Sequence, residues 1–126
     1  TNDAPDSCSS NWSTGTSATD KYGSDYRYRS TAALSDAAAF NFSIATGGNY
    51  DVSAWWPAGT NRSATAPFII PNGGGTVNVN QQINGGKWNL LKTQSVPSGA
   101  NTVQVSCWTT TGFVVMADAV KMYGPK

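Results

Sequence analysis

From residue 38 onward, apolar and polar positions alternate in short runs. Phe40, Phe42 and Ile44 alternate with Asn41 and Ser43, and Tyr50, Val52, Ala54 and Trp56 alternate with Asp51, Ser53 and Trp55. Val77 and Val79 keep the same phase, as do Val103, Val105 and Cys107. Successive side chains on a strand point to opposite faces, so a period of two marks strands with one face buried. The pattern predicts strands over 26–29, 38–45, 49–56, 67–71, 76–82, 88–94, 102–108 and 113–123. Gly, Pro and Asn clusters separate them at 47–48, 57–61, 71–75, 84–86 and 97–101, supplying residues that tolerate turn backbone. The last run, GFVVMADAVKMYG, is apolar on both faces and is expected to be one central, doubly covered strand. TAALSDAAA at 31–39 is Ala-rich enough for a short helical turn. Residues 1–25 are polar and turn-rich and read as an irregular segment carrying the isolated aromatics Trp12 and Tyr22. Together these elements predict one all-β domain, an antiparallel sandwich of about eight strands.

The opposite face of the same strands is a row of amides and hydroxyls: Asn41, Ser43, Asp51, Ser53, Asn78, Asn80, Gln82, Gln104 and Ser106, with Trp55 and Trp108 in the same phase. Composition agrees with an extracellular β-protein, because Ser, Thr, Asn and Gly abound while 12% of residues are charged. The chain has 126 residues, enough for one core. Its eight basic and seven acidic residues give a net charge of +1, and the basic ones are scattered, so neither nucleic acid nor an anionic membrane is an expected partner. With no spanning-length apolar run and no leader ahead of Thr1, the expected species is a soluble mature chain or excised domain, monomeric and secreted. Histidine and glutamate are absent, which excludes Ser-His-Asp and Cys-His catalysis, His-based zinc sites and Glu-based glycosidase pairs. The seven carboxylates are single, separated aspartates, and no spacing among them suggests an acid/base pair. Cys8 and Cys107 stand apart from any CxxC pattern. A disulfide between them, stabilising by about 4 kcal/mol in the loop-entropy picture, is the first reading. Two buried free thiols in an intracellular protein are the second.

Adjacent Trp55 and Trp56 cannot share one face of a regular strand, and the alternation turns Trp55 outward. An exposed indole offers a flat apolar plate to a sugar ring, and flanking amides can orient it. Trp108 shares that phase and Trp12 lies in a loop, making all three candidate ligand contacts; the plain alternative is cover by neighbouring loops. Asn61 and Arg62 occupy a loop tip, where the planar guanidinium can engage two acceptors or simply pair locally. Tyr22, Tyr26 and Arg27, with Asp25, stand near a strand start and suit either a ligand surface or edge packing. Asp118 sits inside an apolar run and needs partners; backbone amides are the first expectation and calcium a weaker one. Trp88 is expected to anchor a strand in the core. GGG at 73–75 lacks the Lys-Ser/Thr pair of a phosphate loop, and the Asn-X-Ser triplets at 11, 41 and 61 are too short to carry weight.

YDVSAWWPAGTNRSATAPFII, GGTVNVNQQINGGKWNLL and GFVVMADAVKMYG resemble the golvesin C-terminal-like domain, also described as the xanthan-lyase carbohydrate-binding-like domain. The resemblance rests on Trp56-Pro57, Asn61-Arg62, Gly85-Gly86-Lys87-Trp88 with Leu91, and Ala117-Asp118-Ala119-Val120, in family order across about residues 22–123. It implies a jelly-roll sandwich similar to galactose-binding-like modules, appended to secreted bacterial lyases, peptidases, esterases or cell-wall hydrolases. It further implies structural roles for Trp56, Trp88 and Asp118, while Trp55, Trp108 and the cysteines lie outside the pattern. The expected function is non-catalytic binding of a polysaccharide or cell-wall glycan beside an attached catalytic domain, without a cofactor. A structural or pro-region module, and a free-standing inhibitor acting through loop 57–66, are the alternatives.

Overall fold

The alternating runs do form strands in a computed structural model that describes residues 1–126. In chain order they are β1 (Asn2–Asp3), β2 (Ser13–Gly15), β3 (Tyr26–Ser30), β4 (Ala38–Ile44), β5 (Gly48–Trp55), β6 (Ala66–Ile70), β7 (Gly75–Val79), β8 (Asn89–Val96), β9 (Gly99–Val105), β10 (Val114–Ala117) and β11 (Ala119–Tyr123). All ladders between them are antiparallel, in sheets ordered β4-β9-β6-β7, β1-β11-β5-β8 and β10-β3-β2. There are eleven strands rather than the expected eight. β1 and β2 are two and three residues of polar sequence, too short and too polar to leave a periodic signature.

The predicted final strand is two strands. Asp118 interrupts it, and there the chain leaves its pairing with β3 and begins pairing with β5. It is nevertheless covered on both faces as expected, since Val115 through Val120 are all buried. The Ala-rich stretch 31–39 forms no helix. Ala38 and Ala39 pair with Val105 and Gln104, and Ala39 also bridges Ser7, so long-range ladders override local helix propensity.

One cluster of apolar side chains, drawn from all three sheets, fills the sandwich and includes Phe40, Val52, Trp56, Phe68, Val103, Val105, Val115 and Val120. The predicted inward phase thus holds on β4, β5 and β9, while Val77 and Val79 of β7 are half-buried. The outward phase holds at Asn41, Ser43, Asn78 and Asn80, all exposed, but fails on β5, where Ser53 is buried. At Trp55, on the same face, the cover comes from the 18–25 segment. The Trp55 indole N–H donates to the Asp20 carbonyl at 2.9 Å, and the Tyr22 ring packs edge-on against Trp55.

A fully buried amide, Gln81, supports β10 from its side. Its Oε1 accepts from Met116 N at 2.8 Å and its Nε2 donates to Met116 O at 2.9 Å. One side chain therefore satisfies both backbone groups of Met116, as a neighbouring strand would.

Candidate functional site

The molecule has one cavity, of about 270 Å³, and its lining starts with an absent side chain. Gly15 on β2 pairs with Tyr26 on β3, and a Cβ at Gly15 would overlap the Tyr26 ring. The ring can therefore lie flat over the glycine, 5% exposed, and form part of the wall. Tyr28, two residues on and on the same face, joins it together with Val114 and Met116 of β10. Asn61 and Arg62 close the opposite side, with Ser17 at the rim. Arg62 is fixed there by a parallel bridge to Val114 and by Gln82, whose Nε2 donates to the Arg62 carbonyl at 3.0 Å. Its guanidinium Nε donates to the Pro57 carbonyl at 3.2 Å and Nη1 donates to the Asn61 side-chain oxygen.

The loop that carries Trp108 is tied to the segment that follows Arg62. Thr65 and Thr109 share a hydroxyl–hydroxyl hydrogen bond of 2.6 Å, joining the loop after Arg62 to the loop after Trp108. Trp108 is 59% exposed, with its backbone N–H held by the Ser106 hydroxyl at 3.0 Å. The expectation that its indole faces water is met.

The remaining candidates lie elsewhere. Trp12 was expected in an open loop but is buried, 6% exposed, its indole N–H donating to the Asp36 carbonyl at 3.0 Å. The 1–25 segment folds back over the core, which covers it. Trp55 leaves the core as expected but does not reach open water. It forms a triad with Tyr22 and Trp88, centroids 5.2 to 5.5 Å apart, and the Lys121 ammonium lies 4.7 Å from the Trp88 ring. Trp88, expected in the core, is half-buried in this same outer triad. Arg27 pairs with Asp25 at 2.9 Å rather than facing the cavity. Tyr26 is a wall residue and not an open surface one. Sequence reading missed Gly15, Ser17, Tyr28, Val114 and Met116 as lining residues. Tyr28 carried a usable signal, its shared strand phase with Tyr26, whereas Gly15 carried none.

Cys8 and Cys107 are free thiols, Cys107 buried and Cys8 half-buried, so the disulfide of the first reading is not formed. Cys107 is buried with its Sγ–H directed at the Leu34 carbonyl, 3.5 Å away, and Cys8 packs on the edge of the core.

Asp118 is 2% exposed. Its Oδ2 accepts from Tyr22 N at 2.8 Å, while Oδ1 has no partner. Burial pushes its carboxyl up to about 7 against the Tyr22 amide, and the charges of Asp3, Asp25 and Asp20 act in the same upward direction. Backbone bonding was the first expectation for this residue and it is what the structure shows. The weaker one, calcium, finds no converging group of three acidic or thiol ligands.

The sequence profile of the golvesin C-terminal domain matches residues 1–124. The chain belongs to that family. This golvesin-type domain is 28% identical over 116 residues to xanthan lyase of Bacillus sp. (strain GL1), covering 87% of this chain and 12% of that protein. Its fold is similar to part of the Paenibacillus xanthan lyase structure, with a TM-score of 0.80 at 35% identity over 91% of this chain and 11% of that one. A CBM35 from Cellvibrio japonicus Abf62 superposes with a TM-score of 0.69 at 20% identity, covering 94% of this chain and 86% of the other. The Podospora anserina GH26-CBM35 β-(1,4)-mannanase gives 0.70 at 20% identity, over 98% of this chain and 27% of that one. These likenesses establish the golvesin-type domain as a jelly-roll β-sandwich, and the domain spans about an eighth of the xanthan lyases it matches.

Proposed function

We propose that this golvesin-type domain is a non-catalytic module that binds a polysaccharide for a larger secreted enzyme. One observation carries the reading: Asn61 and Arg62 converge with Tyr26 and Tyr28 on the single cavity, and a hydroxyl pair ties the segment after Arg62 to the loop that presents the open Trp108 indole. A concave site with phenols, an amide, a guanidinium and an aromatic plate on a tethered loop has the makeup of a sugar site, in which apolar faces stack and a few polar groups orient. The cavity lining holds no acid, base or nucleophile arranged for bond cleavage. Support from outside the chain comes from a CBM35 and from enzymes named as xanthan lyase and mannanase, all of which contain this fold.

Retention in gels containing soluble polysaccharides tests the proposal. Wild-type protein is expected to be slowed by at least one polymer, with tryptophan fluorescence shifting as Trp108 is covered. Trp108→Ala should abolish both effects and leave the melting temperature within about 1 °C, since an exposed side chain contributes little to stability. Unretarded migration of the wild type across a broad panel, neutral and acidic, would reject the reading.

A further inference from the structure

We infer that the cavity selects a carboxylate-bearing sugar, with Arg62 receiving the carboxylate. The inference rests on the polysaccharide-binding reading and narrows its ligand class. The chain has three arginines, and two are neutralised internally. Arg27 pairs with Asp25, and Arg29 pairs with Asp36, whose carboxyl also accepts from the Ser9 hydroxyl at 2.7 Å. Arg62 has no acidic partner, and it is the one charged group among the eight residues that line the cavity.

Its hydrogen bonds hold the guanidinium without neutralising its charge. Nε is held by the Pro57 carbonyl and Nη1 by the Asn61 side chain, so the plane of the guanidinium is set by two neutral acceptors. Nη2 bonds to nothing in the chain, and Nη1 keeps a second hydrogen. A planar fork with two available N–H groups matches the two oxygens of a carboxylate, and holding the fork in place reduces the ordering cost of binding. Neutral sugar hydroxyls can meet the same fork only as uncharged acceptors, whose hydrogen bonds to it are weaker than a carboxylate's. The recess also fits one ring or one substituent better than an extended oligosaccharide, being just below the roughly 300 Å³ at which cavities enclose larger ligands. Tyr26 and Tyr28 then flank the acidic ring with apolar faces.

The test uses a glucuronic-acid-bearing polysaccharide, the same polymer with its carboxyls reduced to alcohols, and a neutral β-glucan, titrated calorimetrically against the whole chain. Carboxyl reduction is expected to weaken binding roughly tenfold to a hundredfold, the usual cost of losing hydrogen bonds to a charged group. Arg62→Gln should bring the acidic polymer down to the affinity of its reduced form, and Arg62→Lys should recover part of the loss. Ser17→Asp sets an acid at the exposed rim without disturbing Arg62's own bonds, and should abolish the preference with no change in melting temperature. Equal affinity for the acidic and reduced polymers would overturn the inference while leaving polysaccharide binding intact. Binding to none of the three, together with the gel result above, would remove both. An acidic preference that survives in folded Ser17→Asp and Arg62→Gln proteins would overturn the assignment to this cavity.

Discussion

Asp118 and Trp55 show how much a single side chain's surroundings alter its meaning. Burial raises the Asp118 carboxyl from an ordinary value of 3.8 to about 7, so it keeps its proton in weakly acidic solution and gives it up around neutrality. A carboxyl raised in the folded state binds its proton more tightly there than in the unfolded chain. Its stabilising contribution is therefore complete below about pH 4 and is lost as pH rises through about 7. The difference is on the order of 4 kcal/mol, so the melting temperature should fall by several degrees between pH 5 and pH 8. Asp36 and Asp51, whose carboxyls are lowered by the Ser9 hydroxyl and by Lys126 respectively, act in the opposite sense and only in acid, outside that window. Asp118→Asn keeps an acceptor for Tyr22 N and should flatten the profile, raising stability at pH 8; an unchanged slope in thermal melts would contradict this account. Trp55→Ala should cost about 3 kcal/mol, because its indole is packed on Tyr22 and Trp88 and bonded to Asp20. Denaturant melts measure that loss, and polysaccharide retention should be unaffected. The alternation along β5 correctly turned Trp55 away from the core. It could not reveal that residues from 18 onward return to cover that face, because strand phase reports which side a residue takes and not what lies on that side.

Between elements, legibility followed length. β4, β5 and β9 run seven or eight residues with a clear period of two; β4 and β5 lie within one residue of their predicted boundaries, while β9 keeps its predicted buried face but starts and ends three residues earlier than 102–108. β1 and β2 gave no pattern. The break between β10 and β11 was hidden because both halves are apolar and only the change of pairing partner marks it. Gln81 was equally hidden. Read in sequence as part of a strand, it acts instead through its side chain as a neighbour to β10. Gln81→Ala leaves a buried N–H and a buried carbonyl of Met116 unpaired, so a loss of about 3 kcal/mol or more is expected. Amide hydrogen exchange at Met116 should accelerate more than at Val103, which is set in the opposing sheet. Equal acceleration at both positions would mean that Gln81 contributes to global stability and not to the seating of β10.

For the molecule as a whole, the core spans all three sheets without a covalent tie. The melting temperature should therefore be the same, within about 1 °C, with and without reductant. Thiol titration should find both cysteines reactive after unfolding and Cys107 protected before it. A mass lower by two hydrogens, together with a reductant-sensitive melt, would show instead that the thiols join. The fold class and family were readable from strand spacing and from the Asn61-Arg62, Gly85-Gly86 and Ala117-Asp118 pieces. The cavity was not, since its walls come from β2, β3, β10 and the loop after β5, segments that only tertiary folding brings together.

The hollow between those segments exists because position 15 carries a hydrogen where any other amino acid would carry carbon. A methyl group there would press the Tyr26 phenol outward and stopper the recess, leaving the sandwich itself nearly unchanged. Relatives in which position 15 is occupied should accordingly have a blunt surface at this spot, even when they keep every group able to touch a ligand.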